Sequence, residues 1–209
     1  ISGCEFAMVY DVEGFTKHVE VGMSFNTILF EKSDRIGYIT LNRPEALNGL
    51  TFEMMDEVNQ ALADVKADYR VKALVITGSG RAFSVGADIN LLTDAFDSPE
   101  QMRYFLKTIN QLLCNIEALP VPVIAVVNGL ARAGGFELIL SCDLAIASDS
   151  AKIGDNHTSF GVMPGGGGTQ RAPRKLGSQR ALELIYTGKW MTGKEAAEYG
   201  VVLRSVPND

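Results

Sequence analysis

Histidine and cysteine are scarce in this chain: two of the first and three of the second among 209 residues. Cys4, Cys114 and Cys142 lie far apart, with no CxxC pair or Cys/His cluster around them. That pattern argues against a disulfide framework and against a structural metal site. It suits reduced thiols in a cytoplasmic protein. Long apolar runs are also missing; none approaches the roughly 20 residues of a membrane-spanning helix. Positive charge is in deficit, 19 basic against 25 acidic side chains, for a net charge of −6. A phosphate-backbone binder needs a basic face, so nucleic acid is disfavoured as a partner. A small anionic ligand is compatible with that balance, because backbone donors can outweigh net charge locally.

Apolar residues make up 46% of the chain and charged residues 21%, enough for a sizeable core and too apolar for wholesale disorder. The length suggests one domain, or a domain with an appendage. Residues 1–22 differ in texture from the remainder of the chain and begin without a basic region, so they do not resemble a secretory or transit peptide. They are expected to be an upstream extension or an appended remnant, with 23–209 as the core. His18 falls in this stretch and reads as an ordinary polar residue.

From Thr27 onward the pattern is regular. "TILFEK" and "IGYITLN" predict two strands joined by the turn "SDR". Thr51 is placed to cap a helix with Phe52, Met55, Val58, Leu62 and Val65 on one face. "VKALVITG" reads as a buried strand and "GSGRAFSVGAD" as a glycine-rich loop. Ser98-Pro99 opens a second helix, with Phe105, Ile109, Leu112, Leu113 and Ile116 as its stripe. "VPVIAVVNG" and "DLAIAS" are further strands, flanking a helix that begins in "ARAGGFELILSC". Short helices are expected from about Thr169 to Gly200. The order predicts an α/β chain of ββα-like units.

The glycine-rich stretches invite a phosphate-loop reading, which fails on inspection. "GKWMTGKE" lacks the hydroxyl residue that would hold magnesium and follows a helical pattern, not a strand. "GGGG" at 165–168 has neither a preceding Rossmann strand nor a ribose-binding acid at the right distance. Two other loops carry more. "SVGADI" and "NGLARAGGFE" each follow a strand, and the second feeds a helix. Small residues there let backbone approach a ligand, and the N–H groups at a helix start are unsatisfied. Two such loops converging would form a paired-donor oxyanion hole. Glu137, in the first turn of that helix among Phe136, Leu138, Ile139 and Leu140, would stand beside the bound oxygen. Tight turns without a ligand, and a solvent-facing acid, are the alternative reading.

The blocks "ITLNRPEALNGLT", "GRAFSVGADI", "PVIAVVNGLARAGGFELILSCDLAIAS" and "GVMPGGGGTQRAPRKLG" resemble the enoyl-CoA hydratase/isomerase, or crotonase, superfamily. The match runs from about Thr27 to Pro207. The resemblance implies a spiral of repeated ββα units, assembled as a trimer or hexamer. It implies an acyl-CoA substrate and no tightly bound cofactor or metal, CoA entering as part of the substrate. The thioester carbonyl would sit between the N–H groups of Ala87 and Gly134. Ala46, Leu47, Asn48, Ile89, Gly86, Gly135 and Gly165 are the implied substrate- and CoA-contacting positions. Family members continue past the segment matching "GVVLRSVP" with further helices, so a core ending there is expected to assemble less firmly.

Hydratases of this family use two glutamates on one water. The first matches Glu137; the second falls at His157. A carboxylate paired with an imidazole avoids the repulsion of two carboxylates and keeps a group that titrates near neutrality. The expected reaction is hydration of a 2-enoyl-CoA by Glu137 and His157. Superfamily members resembling oxocamphor hydrolases carry a histidine at this position and cleave a carbon–carbon bond. Isomerisation, thioester hydrolysis and acyl-CoA binding without turnover therefore stay open, as does a His157 that merely bonds Asp155 or a loop carbonyl. Asp88 and Asp143 are read as loop anchors, and Arg171 and Arg174 as loop-fixing or surface groups.

Overall fold

A computed structural model describes residues 24–208, together with the backbone of two strands, β1 (Phe6–Tyr10) and β2 (Thr16–Val21). The rest of residues 1–22, Cys4 included, lies outside the described residues. So does the side chain of His18. β1 and β2 pair antiparallel, and β2 pairs antiparallel with β3 (Ile28–Ser33), which extends the main sheet at that edge.

β3 and β4 (Ile36–Leu41) form the expected hairpin, with Asp34 and Arg35 at positive φ in its turn. Helix α1 (Phe52–Ala67) starts where the Thr51 hydroxyl accepts from the Met54 amide. Its buried face is Met54, Met55, Val58, Ala61, Leu62 and Val65; Phe52 instead is 38% exposed, its ring resting against Tyr104 with centroids 5.0 Å apart.

From here the chain repeats one pattern. A longer strand enters a large sheet, a three-residue strand enters a small one, and a helix returns. The large-sheet members are β5 (Ala73–Gly78), β7 (Val123–Val127) and β9 (Leu144–Ser148), parallel to one another and to β4. Their short partners are β6 (Ala82–Ser84), β8 (Leu130–Arg132) and β10 (Lys152–Gly154), also parallel to one another. The helices are α2 (Ile89–Asp97) and α3 (Pro99–Glu117) after β6, α4 (Gly134–Ser141) after β8, and α5 (Gly168–Leu176) after β10. The chain continues through α6 (Ser178–Thr187), β11 (Met191–Thr192), α7 (Gly193–Tyr199) and β12 (Arg204–Val206). The described residues give an eight-stranded sheet and a four-stranded sheet. This is the expected spiral of repeated ββα units.

Two further local expectations need correction. The "GSGRAFSVGAD" segment contains β6, and α2 begins directly after it, capped by the Asp88 carboxylate on the Asn90 amide. Three residues are too few to show a period of two, so the strand is hidden in the sequence. β5 is not equally buried on both faces: Leu74 and Ile76 are sealed, while Ala73, Val75 and Thr77 are half-buried. The helices of this chain cover one face of the large sheet, and Leu29, Val126 and Leu144 on the other face stay exposed. The α3 stripe is as expected, since Phe105, Ile109, Leu112, Leu113 and Ile116 are all buried.

Candidate active site

Between α2, α3, the start of α4 and the loop after β10 lies a cavity of about 650 Å³. Its walls are largely apolar: Leu92 and Phe96 from α2, Met102, Leu106 and Ile109 from α3, and Phe160, Val162 and Met163 from the loop. Ala87, Gly134, Glu137 and His157 all face it.

The two expected backbone donors are brought together by a close crossing of loops. Leu50 N–H donates to Gly86 O, and Asp88 N–H donates to Leu50 O. Successive amides of an extended chain point to opposite sides, so Ala87 N–H is turned away from Leu50. It has no acceptor among the described residues. Gly134 is the first residue of α4, so its N–H lacks a helical acceptor and is likewise unpaired. Gly86 makes the approach possible. It has φ +86, and a Cβ there would stand 2.6 Å from Gly134 N. The turn before Gly134 is held by Ala133, whose N–H donates to Asp155 O at 2.9 Å. Ala133 has φ 48 and ψ −119, a conformation costly for any residue with a Cβ.

Glu137 sits one turn into α4 and is 1% exposed. Its Oε1 accepts from Gly168 N–H at 2.7 Å and its Oε2 from Gly166 N–H at 3.1 Å. The glycine run thus grips the carboxylate from its backbone. A Cβ at Gly166 would fall 2.5 Å from Glu137 Oε2. Arg171 fixes the run in turn, donating to Gly166 O at 2.7 Å while its other nitrogens pair with Glu117. Arg174 donates only to Gln170 O on the surface.

His157 follows β10 in a short 3₁₀ turn. Its Nε2 lies 3.7 Å from Glu137 Oε2, and its Nδ1 lies 3.0 Å from Asp155 Oδ1. Asp155 is fully buried. Burial raises the pKa of Glu137 above the usual carboxylate range, against the pull of His157 and of the Gly168 and Gly166 amides. Burial works against the His157 imidazolium, but the Asp155 hydrogen bond and the Glu137 charge outweigh it, so this pKa is raised too. The pair therefore holds on to a proton more firmly than either group would alone.

The other expected positions are spread more widely. Ile89 stands at the cavity's edge, 77% exposed, and Gly165 lines it. Gly135 packs against Ser84 O, behind the donors. Ala46 and Leu47 are half-buried in a separate loop outside the cavity wall. Asn48 is wholly buried; it accepts from Arg43 N–H and donates to Ser79 O and Ala82 O, which ties that loop to the strand before the oxyanion turn. Asp88 is an anchor for Arg43, and Asp143 accepts from Val123 N–H. Sequence patterns do not single out Arg132 or the apolar wall of α2 and α3. The periodicity of α3 is visible but reads as core, because a cavity wall and a core face look alike in sequence. Gly188 caps α6 and does not enter a phosphate loop. Among the described residues, no group of acidic, Cys and His side chains is placed to hold a metal ion, and no helix is long and apolar enough to cross a membrane.

In sequence and fold the chain is similar to known proteins. The model of the enoyl-CoA hydratase/isomerase family matches residues 31–209. A probable enoyl-CoA hydratase of Mycobacterium tuberculosis is 43% identical over 187 residues, covering 90% of this chain and 71% of the relative. A crotonyl-CoA hydratase of Syntrophomonas wolfei is 38% identical over 185 residues, covering 88% of this chain and 70% of its own length. The crystal structure of an enoyl-CoA hydratase from Bacillus anthracis superposes with a TM-score of 0.83 at 38% identity, over 88% of this chain and 71% of that one. On sequence and fold together, this chain belongs to the enoyl-CoA hydratase/isomerase family.

Proposed function

We propose that this chain adds water across the double bond of a 2-enoyl-CoA, with Glu137 and His157 as the acid–base pair. The observation that carries the reading is the 3.7 Å approach of His157 Nε2 to Glu137 Oε2, in a cavity that also presents two unpaired amides.

The thioester oxygen accepts from Ala87 N–H and Gly134 N–H. Those donors strengthen as charge moves onto the oxygen, which lowers the barrier to an enolate; one such donor contributes about 3 kcal/mol. A water bridging the carboxylate and the imidazolium loses a proton to Glu137 as its oxygen bonds to the β-carbon. The π electrons of the double bond shift toward the thioester oxygen. His157 Nε2–H then delivers its proton to the α-carbon as the enolate collapses. Glu137 is left protonated and His157 neutral, and transfer of that proton across the short gap restores the starting state. Asp155 holds Nδ1–H throughout, which leaves Nε2 as the nitrogen facing the reaction.

Crotonyl-CoA hydration, followed by loss of the conjugated thioester absorbance with product identification, tests the reading. Glu137→Gln and His157→Ala should each lower kcat by about 10²- to 10⁴-fold, the span of general acid–base contributions. Tight binding without turnover, unchanged by either substitution, would instead mark a non-catalytic acyl-CoA binder. A rearranged or cleaved product would mark an isomerase or hydrolase.

We also propose a homo-oligomer, trimer or hexamer, in the cytoplasm. The exposed apolar side chains on the outer sheet face support association. The unpaired thiols of Cys114 and Cys142 suit a reducing compartment, the pKa of Cys142 being pushed by burial up to about 12. Sedimentation and fractionation test these two points.

A further inference from the structure

We infer that the acyl group of the substrate carries a carboxylate, and that Arg132 receives it. The inference rests on the acyl-CoA reading and names the substrate class for the same cavity.

Arg132 ends β8, two residues before the oxyanion donor Gly134, and lines the cavity. It is half-buried, and its Nε is sealed from solvent without a hydrogen-bond partner. Its guanidinium lies over the Phe160 ring, 4.9 Å from the centroid. No carboxylate or carbonyl among the described residues accepts from it. This is unusual within the molecule itself. Arg43 pairs with Asp88, and Arg171 pairs with Glu117. The other described arginines are exposed, whereas Arg132 is half-buried, with its Nε sealed and unpartnered, in a chain that carries 25 acidic side chains.

A guanidinium has five N–H donors and no way to become neutral. Burying part of it without an acceptor is unfavourable, and a ligand that meets its open terminal nitrogens offsets that cost. The other charged groups on the cavity wall are already matched: Glu137 by two amides and His157 by Asp155. Phe160 occupies one face of the guanidinium, which leaves its in-plane donors to meet a planar, two-oxygen acceptor. The placement favours the acyl end of the substrate. Arg132 is paired in register with Gly154, on the strand that leads to His157. A thioester held at Gly134 with its reacting carbons beside Glu137 and His157 therefore sends the rest of its acyl chain along this wall. A monothioester of a dicarboxylic acid meets these requirements.

Calorimetry with two saturated, unreactive thioesters of equal chain length, adipoyl-CoA and hexanoyl-CoA, tests the claim apart from turnover. The wild-type chain should bind adipoyl-CoA at least about tenfold more tightly, the scale of a charge-assisted hydrogen bond. Arg132→Leu and Arg132→Gln should bring the two affinities together by lowering that for adipoyl-CoA more than that for hexanoyl-CoA, and Arg132→Lys should retain part of the preference. Equal affinities in the wild type would overturn the inference. So would an equal loss for both ligands in the variants, since that places Arg132 on a CoA phosphate or in pocket packing. The matching 2-enoyl thioesters then separate the two proposals. If neither is hydrated while the Arg132-dependent binding preference persists, hydration falls and the substrate class stands.

Discussion

The Nδ1 atom of His157 lies 3.0 Å from Oδ1 of Asp155, a carboxylate that no water reaches. The second oxygen of Asp155 is buried without a hydrogen-bond partner. The imidazole is thus oriented from behind by an acid and faces a second acid in front. The same Asp155 also accepts the Ala133 amide through its carbonyl, so one residue braces both the histidine and the oxyanion turn.

Asp155→Asn tests the side-chain half of that arrangement. The amide can present a hydrogen to Nδ1 and so favour the wrong tautomer, with Nε2 protonated in the neutral ring. We expect kcat to fall by about 10-fold or more, within the reach of a lost acid–base function. The apparent pKa of His157 should drop in the pH profile, because its hydrogen bond to Asp155 is one of the causes that raise it. A lower kcat with an unmoved profile would assign Asp155 a packing role instead.

Gly86→Ala should separate the two donors. Its Cβ would meet Gly134 N at 2.6 Å and would strain a residue at φ +86. One lost donor corresponds to about a 100-fold fall in kcat, with a smaller change in KM. An unchanged kcat in a folded variant would show that Ala87 and Gly134 do not share the thioester oxygen.

Glu137 and His157 make stability depend on pH with a definite sign. Both bind a proton more tightly folded than unfolded, so their contribution is full at low pH and is lost as pH rises through the raised folded values. The melting temperature of the wild type relative to Glu137→Gln should therefore decline as pH is raised above 4.5, the ordinary glutamate value. A difference that stays flat, or grows with pH, would contradict the raised pKa values.

Asn48→Ala distinguishes a scaffold residue from a CoA contact. It strands the Arg43 amide and removes donors from two carbonyls, for a loss of about 2–4 kcal/mol. Thermal melting should drop by roughly 5–12 °C for a chain of this size. A raised KM for acyl-CoA without a change in melting would place Asn48 on the ligand.

The longer strands, most of the helices and the family were legible in the sequence; β6 and α2 were not, and Glu137, His157, Ala87 and Gly134 came from the resemblance as proposed site residues. Long strands and helices announce themselves by period, and the glycine-rich turns mark where backbone must come close. Period and spacing act along the chain, so they define segments and the side chains those segments carry. They do not define which turn meets which. Only the tertiary structure decided that the glycine run grips Glu137, that Asp155 stands behind His157, that Asn48 is buried scaffold and that Arg132 is left without an acid. Each of those facts depends on contacts between segments twenty or more residues apart, or on the bend of a loop. Neither follows from local residue preferences, because they arise from how the sheets and helices pack.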